Sequence, residues 1–133
     1  EAQSKMDVAA SEIEAVRLRH GLGAGMALAQ AANRYLDQKA PWHAVKEDKA
    51  DAGRTLWVTL SVINCLKTIL NPYLPFSADK IQAMLGLDGS VQDAGWCWDP
   101  EQLVAGQPVE KPTPLFTKLD EELIEAESQR ITG

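Results

Sequence analysis

The most regular pattern of apolar positions in the chain runs from residue 50 to residue 70. Two adjacent stripes at helical spacing cover it, namely Leu56, Leu60, Ile63, Leu66 and Leu70, and beside them Val58, Val62, Cys65 and Ile69. A helix that is apolar over so wide an arc packs against neighbours on several sides. The pattern therefore predicts that this helix lies at the centre of a bundle.

Weaker helical patterns precede it. Residues 4–18 carry a thin apolar face, and in the next stretch apolar positions recur at Leu22, Met26, Ala29 and Leu36. This second helix should end near Lys39 or Ala40, because the α conformation is disfavoured for the residue before Pro41. Asn33 falls on the predicted apolar face. It is therefore either buried with hydrogen-bond partners or presented to a ligand at the end of the bundle.

Three glycines alternate at the predicted start of that helix, at Gly21, Gly23 and Gly25. Dinucleotide-binding loops have the spacing Gly-x-Gly-x-x-Gly after a strand, and neither condition is met here. The glycines therefore predict close helix packing or a bend, and not a phosphate site.

The chain changes character after a proline-containing turn at residues 71–76. Ser77 is a plausible N-cap for a short helix that reaches Leu85. Residues 87–117 are rich in glycine and proline, which predicts an extended arm with turns and no core of its own. Residues 119–130 have the pattern of a last, acidic helix.

The predicted fold class is all-α, because no sustained alternation of apolar and polar residues indicates a strand. The helical bundle is expected to occupy residues 1–86. The arm and the C-terminal helix, within residues 87–133, are expected to pack on its outside. Trp96 and Trp98 are expected to anchor the arm to the bundle.

Composition and charge limit the possible functions. A chain of 133 residues is of single-domain size, and its net charge of −6 disfavours nonspecific binding of nucleic acid, which needs basic surface. The charge is uneven, because residues 34–49 hold four cations against three anions, whereas residues 118–133 hold two against five. The region around Trp42 is thus the least acidic charged part of the chain.

Several sequence features indicate that the chain is a piece of a cytoplasmic protein. No run approaches the roughly 18 apolar residues of a membrane span, and no signal peptide is visible, so no membrane partner is expected. Cys65 and Cys97 do not demand a disulfide, which fits a reducing compartment. The chain opens on Glu1 rather than on methionine, which indicates a piece of something longer.

The candidate binding residues are Trp42 and polar residues near it in the sequence. A large ring after a helix end is either a plug at the end of the core or an exposed platform that stacks on a nucleobase. His43 and Lys46 suit contacts to a base edge or a phosphate, and Asn33 offers an amide. No catalytic or metal site is expected, since His20 and His43 lack ligand or nucleophile partners at diagnostic spacing.

Three blocks of sequence follow in order along the chain. They are Asn33-Arg34-Tyr35-Leu36 with Ala40-Pro41-Trp42, then Asn71-Pro72-Tyr73-Leu74-Pro75-Phe76 with Met84-Leu85-Gly86, and lastly Pro114-Leu115-Phe116-Thr117-Lys118-Leu119. Over roughly residues 16–125 this order resembles the anticodon-reading domain of methionyl-tRNA synthetase.

The resemblance implies an all-α bundle of the class Ia synthetase anticodon-binding type, of which residues 1–86 are a part. In that family the tryptophan of Ala-Pro-Trp stacks on an anticodon base, and this role maps onto Trp42. The implied partners are the anticodon loop of tRNA(Met) and the catalytic domain of the same chain. Asn33, His43 and Lys46 are added by their position and not by the family.

The family's Asn and Arg from an earlier helix would lie before Glu1. Its adenylate-forming motifs, His-x-Gly-His and Lys-Met-Ser-Lys-Ser, are absent from these residues. The resemblance therefore implies no catalytic site and no cofactor in this piece, with ATP and methionine bound elsewhere in the parent enzyme.

Two alternatives remain open at this point. The chain could be the anticodon domain of a related leucyl-, valyl- or isoleucyl-tRNA synthetase, although the Ala-Pro-Trp signature favours methionine. It could also be an all-helical protein-interaction module, with Trp42, Trp96 and Trp98 as an apolar patch for a partner.

Overall fold

The computed structural model describes residues 1–132, which contain helices, turns and irregular segments but no strand. Within this part of the chain seven helices follow one another: α1 (Ala2–Glu14), α2 (Leu18–Lys39), α3 (Pro41–Ala44), α4 (Lys49–Leu70), α5 (Pro75–Met84), α6 (Val91–Ala94) and α7 (Glu121–Thr132). The predicted all-α fold class is confirmed. None of the described helices is both long and apolar enough to cross a membrane.

Helix α4 occupies the centre, as its double apolar stripe predicts. It packs against α1, α2, α3 and α5. The main core lies where α1, α2 and α4 meet, and its buried members include Met6, Ala9, Leu28, Cys65 and Ile69.

The two apolar stripes of α4 have different environments. Cys65 and Ile69 are fully buried in the core, whereas Leu56 is half exposed. Leu60 and Ile63 line an open apolar groove of about 510 Å³, whose other walls come from α5 and the arm. The stripe from residue 56 to residue 70 thus forms mainly a groove wall.

Helix α2 buries a face that includes the predicted Ala29, which is partly buried against the core, but that is centred on other residues. Its buried residues are Gly21, Ala24, Gly25 and Leu28. Met26, a member of the predicted face, is half exposed. Asn33 is exposed as well, so the alternative of a buried, hydrogen-bonded Asn33 is excluded.

Two of the three alternating glycines explain this choice of face, because they let neighbouring side chains approach the backbone. A Cβ atom on Gly25 would lie 3.0 Å from Ile69 Cγ2, and one on Gly21 would lie 2.6 Å from Tyr73 Oη. Nothing lies within 4 Å of the corresponding point at Gly23. The predicted role in close helix packing is therefore confirmed at Gly21 and Gly25.

The arm is held along α4 by hydrogen bonds from one polar face of that helix, and we call this set the α4–arm ladder. The bonds join Trp57 Nε1 to Leu103 O, Ser61 Oγ to Pro100 O, Asn64 Nδ2 to Gln102 Oε1 and Thr68 Oγ1 to Cys97 O, at 2.7, 2.9, 2.8 and 3.4 Å. The donors recur every three or four residues, which places them on one side of the helix. The ladder gives hydrogen-bond partners to three of the polar side chains that this helix buries, Ser61, Asn64 and Thr68.

Trp98 fastens the arm from the opposite direction. Its ring packs against the core, and its Nε1 donates to Ser61 O at 2.9 Å. The predicted anchoring role is confirmed for Trp98, whereas Trp96 is exposed. The division of the chain at residues 86 and 87 stays a prediction.

Two other elements differ from the sequence-based expectation. Helix α5 begins at Pro75 and has no side-chain cap, so Ser77 is not its N-cap. Proline suits the first helical position, because its missing N–H has no partner there in any case. The described side chains of α7, through Ile131, are exposed, where the sequence predicts a helix packed on the bundle.

Candidate nucleic-acid interface

Helices α2 and α3 meet at a single residue, Ala40. Its N–H donates to Leu36 O at 2.8 Å and so closes α2, while its carbonyl accepts from His43 N at 2.8 Å and from Ala44 N at 3.1 Å and so opens α3. Ala40 adopts the left-handed conformation, with φ 41° and ψ 58°. The chain therefore passes from one helix to the next through one left-handed residue.

Trp42 lies at the start of the new helix. Pro41 is buried and takes the first helical position, where a proline costs no hydrogen bond. Trp42 follows with 53% of its surface exposed. The His43 ring stands edge-on to it, with the ring centroids 6.3 Å apart and the planes at 61°. Trp42 is therefore accessible to solvent, and it is not a buried plug.

The other predicted site residues lie on the elements before and after this position. Asn33 lies on α2 before its end, His43 on α3, and Lys46 in the turn between α3 and α4, and all three are exposed. Within residues 1–132 no intramolecular hydrogen bond or ion pair holds the side chain of Asn33 or Lys46. Both side chains are thus free to contact a ligand. Only His43 is in ring contact with Trp42.

The stretch from residue 34 to residue 49 has an excess of one positive charge, in a chain whose net charge is −6. Four exposed cations lie along this part of the chain, namely Arg34, Lys39, Lys46 and Lys49. Among the described residues none of them forms an ion pair. Asp37, Glu47 and Asp48 lie in the same stretch, and the Asp48 carboxylate caps α4 by accepting from Asp51 N at 3.0 Å.

This arrangement suits the binding of a nucleobase. An exposed aromatic ring can stack on an unpaired base, and nearby amide, imidazole and ammonium groups can reach base edges and phosphates. Across the part of the chain that the structure describes, no cluster of three or more His, Cys, Asp or Glu side chains could hold a metal ion.

Comparison with known proteins identifies the family. A family model described as the anticodon binding domain of methionyl tRNA ligase matches residues 1–133. The chain belongs to this family. The resemblance recognised from the three ordered sequence blocks is therefore confirmed.

Relatives named methionine–tRNA ligase support the same family. The protein of Roseiflexus sp. (strain RS-1) is 36% identical over 144 positions, which cover 90% of this chain and 24% of the relative. A Dehalococcoides mccartyi protein is 41% identical over 118 positions, covering 89% and 20%. The protein of Thermomicrobium roseum is 37% identical over 140 positions, covering 87% and 24%. The chain thus spans about a fifth to a quarter of the length of these relatives.

The family and the fold bear on both alternatives. The matches favour the anticodon-binding domain of the methionyl enzyme over those of the leucyl, valyl and isoleucyl enzymes. A shared patch of Trp42, Trp96 and Trp98 is not supported, because Trp98 packs against the core.

Sequence reasoning did not find the left-handed conformation of Ala40. It located the end of α2 from Pro41, but alanine itself carries no preference for a positive φ. The available signal was indirect: a helix that ends directly before a proline needs a non-helical residue at that point.

Proposed function

We propose that this domain binds the anticodon loop of tRNA(Met), with Trp42 stacking on an exposed anticodon base. The half-exposed ring of Trp42 at the start of α3, beside unpaired cations, is the observation that carries the proposal. Bases in single-stranded loops are read by stacking on aromatic side chains and by hydrogen bonds to their edges. A ring held on a short helix between two long ones offers a stacking surface in a fixed place.

The remaining candidate residues take supporting roles in this proposal. The Asn33 amide can both donate to and accept from a base edge, and His43 can do the same at short range from the stacked base. Lys46 contributes charge toward a phosphate. Because the whole chain is acidic, this local charge would orient the loop rather than provide strong affinity.

The chemical step belongs to the rest of the polypeptide in this proposal. The relatives are four to five times as long as the matched region, which leaves room for a catalytic domain that binds ATP and methionine. We propose that the complete protein attaches methionine to tRNA(Met) in the cytoplasm. This domain would then need no cofactor of its own.

The test is Trp42→Ala in the full-length ligase. Loss of one stacked base is worth roughly 1–3 kcal/mol, so kcat/KM for aminoacylation of tRNA(Met) should fall about fivefold to 150-fold. Methionine-dependent ATP–pyrophosphate exchange should stay unchanged, because it does not involve tRNA. The enzyme should also discriminate less between the normal tRNA and one with an altered anticodon.

Trp96→Ala is the matched control, since it removes another exposed tryptophan, one that lies on the arm. It should leave aminoacylation within about twofold of the wild-type rate, as surface substitutions usually do. The stacking role is wrong if Trp42→Ala preserves full discrimination between the two tRNAs.

A further inference from the structure

We propose that Ala40 is a positioning residue for Trp42, because its left-handed backbone sets the direction in which the Trp42 ring leaves the bundle. The inference rests on the proposed stacking role of Trp42 and adds a second determinant of anticodon recognition. Ala40 itself would not touch the base.

Ala40 is the residue that connects α2 to α3. On one side lies the 22-residue helix α2, and its last turn is closed by the bond from Ala40 N to Leu36 O. On the other side Pro41 is buried and its ring fixes φ near −65°. Trp42 already belongs to α3. The φ and ψ of Ala40 therefore set the direction of α3, and with it that of the Cα–Cβ bond of Trp42, relative to α2.

The conformation of Ala40 is unfavourable for an ordinary residue. An L-amino acid with a Cβ atom meets steric repulsion at positive φ, and glycine is the residue that adopts it without cost. Among the described residues the only other non-glycine with positive φ is Val16. Backbone conformations of this kind persist where the surroundings impose them, and they cluster at functional sites. At Ala40 the hydrogen bonds on both sides and the buried Pro41 impose it.

The test compares residues that tolerate the left-handed conformation with one that does not, in the full-length ligase. Ala40→Gly and Ala40→Asn can keep positive φ, so aminoacylation of tRNA(Met) should stay within about threefold of the wild-type kcat/KM. Ala40→Val is β-branched and disfavours this conformation. It should lower kcat/KM about tenfold, while ATP–pyrophosphate exchange stays unchanged.

A double-mutant cycle shows whether Ala40 acts through Trp42. If it does, Ala40→Val should add less than about a twofold loss in a Trp42→Ala background, because the ring that it misdirects is already gone. Val16→Gly is the control. It changes the other positive-φ position, at the far end of α2, roughly 33 Å away along the helix, and it should leave recognition unchanged.

The outcomes separate the two proposals. If Trp42→Ala does not affect discrimination between tRNAs, the proposed function itself fails. If Trp42→Ala does affect it but the losses from Ala40→Val and Trp42→Ala multiply, the positioning role is wrong and the stacking role stands. If Ala40→Val prevents folding, Ala40→Asn can still overturn the proposal, since a tenfold loss in a variant that keeps the positive φ would mean that side-chain size matters and backbone conformation does not.

Discussion

At the scale of single residues, burial gives the two cysteines opposite properties. Cys65 lies in the core, and its burial raises the pKa of the thiol to about 11. Cys97 is exposed on the arm. The thiolate is the form that attacks an alkylating reagent, so burial and a raised pKa both protect Cys65.

Native labelling should therefore modify a single site. With iodoacetamide at pH 8 we expect mass spectrometry to find Cys97 alkylated and Cys65 unmodified, since a pKa of about 11 leaves only about one Cys65 thiol in a thousand ionised. In concentrated urea both cysteines should react, which serves as the control. Equal labelling of both in the native protein would show that the core between α1 and α4 is open.

At the scale of elements, the sequence predicted where helices end better than which faces they bury. The end of α2 at Lys39 followed from Pro41, and the bounds of α4 followed from its apolar stripes and Asn71-Pro72. The buried face of α2 could not be found in this way. Periodicity arguments count apolar side chains, whereas Gly21 and Gly25 contribute by having none.

The glycine face of α2 leads to a stability prediction. Gly25→Val would push side-chain atoms into Ile69, and overpacking of this kind should lower the free energy of unfolding by about 1–3 kcal/mol. The same substitution at Gly23, which faces open space, should change it by less than about 0.5 kcal/mol. Urea denaturation of the 133-residue chain, followed by circular dichroism, compares the two. Similar losses in both variants would contradict close packing at Gly25.

At the scale of the whole molecule, the bundle has one closed side and one open side. The core among α1, α2 and α4 is shielded from solvent, whereas the groove beside α5 is open. The sequence could place α4 at the centre, but it could not rank two equally apolar stripes. The candidate site was predicted as a set of residues around Trp42, while its backbone geometry depends on tertiary contacts that no local pattern records.

This asymmetry predicts unequal costs for two similar substitutions. Ile69→Ala removes a fully buried side chain and should lower the free energy of unfolding by about 2–5 kcal/mol. Leu60→Ala shortens a groove wall that solvent already reaches, so no closed cavity forms and the loss should be about 1 kcal/mol. Denaturant titrations of the 133-residue chain and of each variant would measure both losses. A larger loss from Leu60→Ala would place the main core on the groove side.

The α4–arm ladder also affects how this chain can diverge over generations. On the α4 side a particular side chain must supply each donor, as Ser61 and Thr68 do. On the arm side the acceptors at Cys97 and Pro100 are main-chain carbonyls, which every amino acid possesses. Both arm residues are also exposed, so few contacts restrict their side chains, the bond from Cys97 Sγ to Ala94 O at 3.1 Å being one. Mutations should therefore accumulate quickly at these two positions while the polar face of α4 changes slowly.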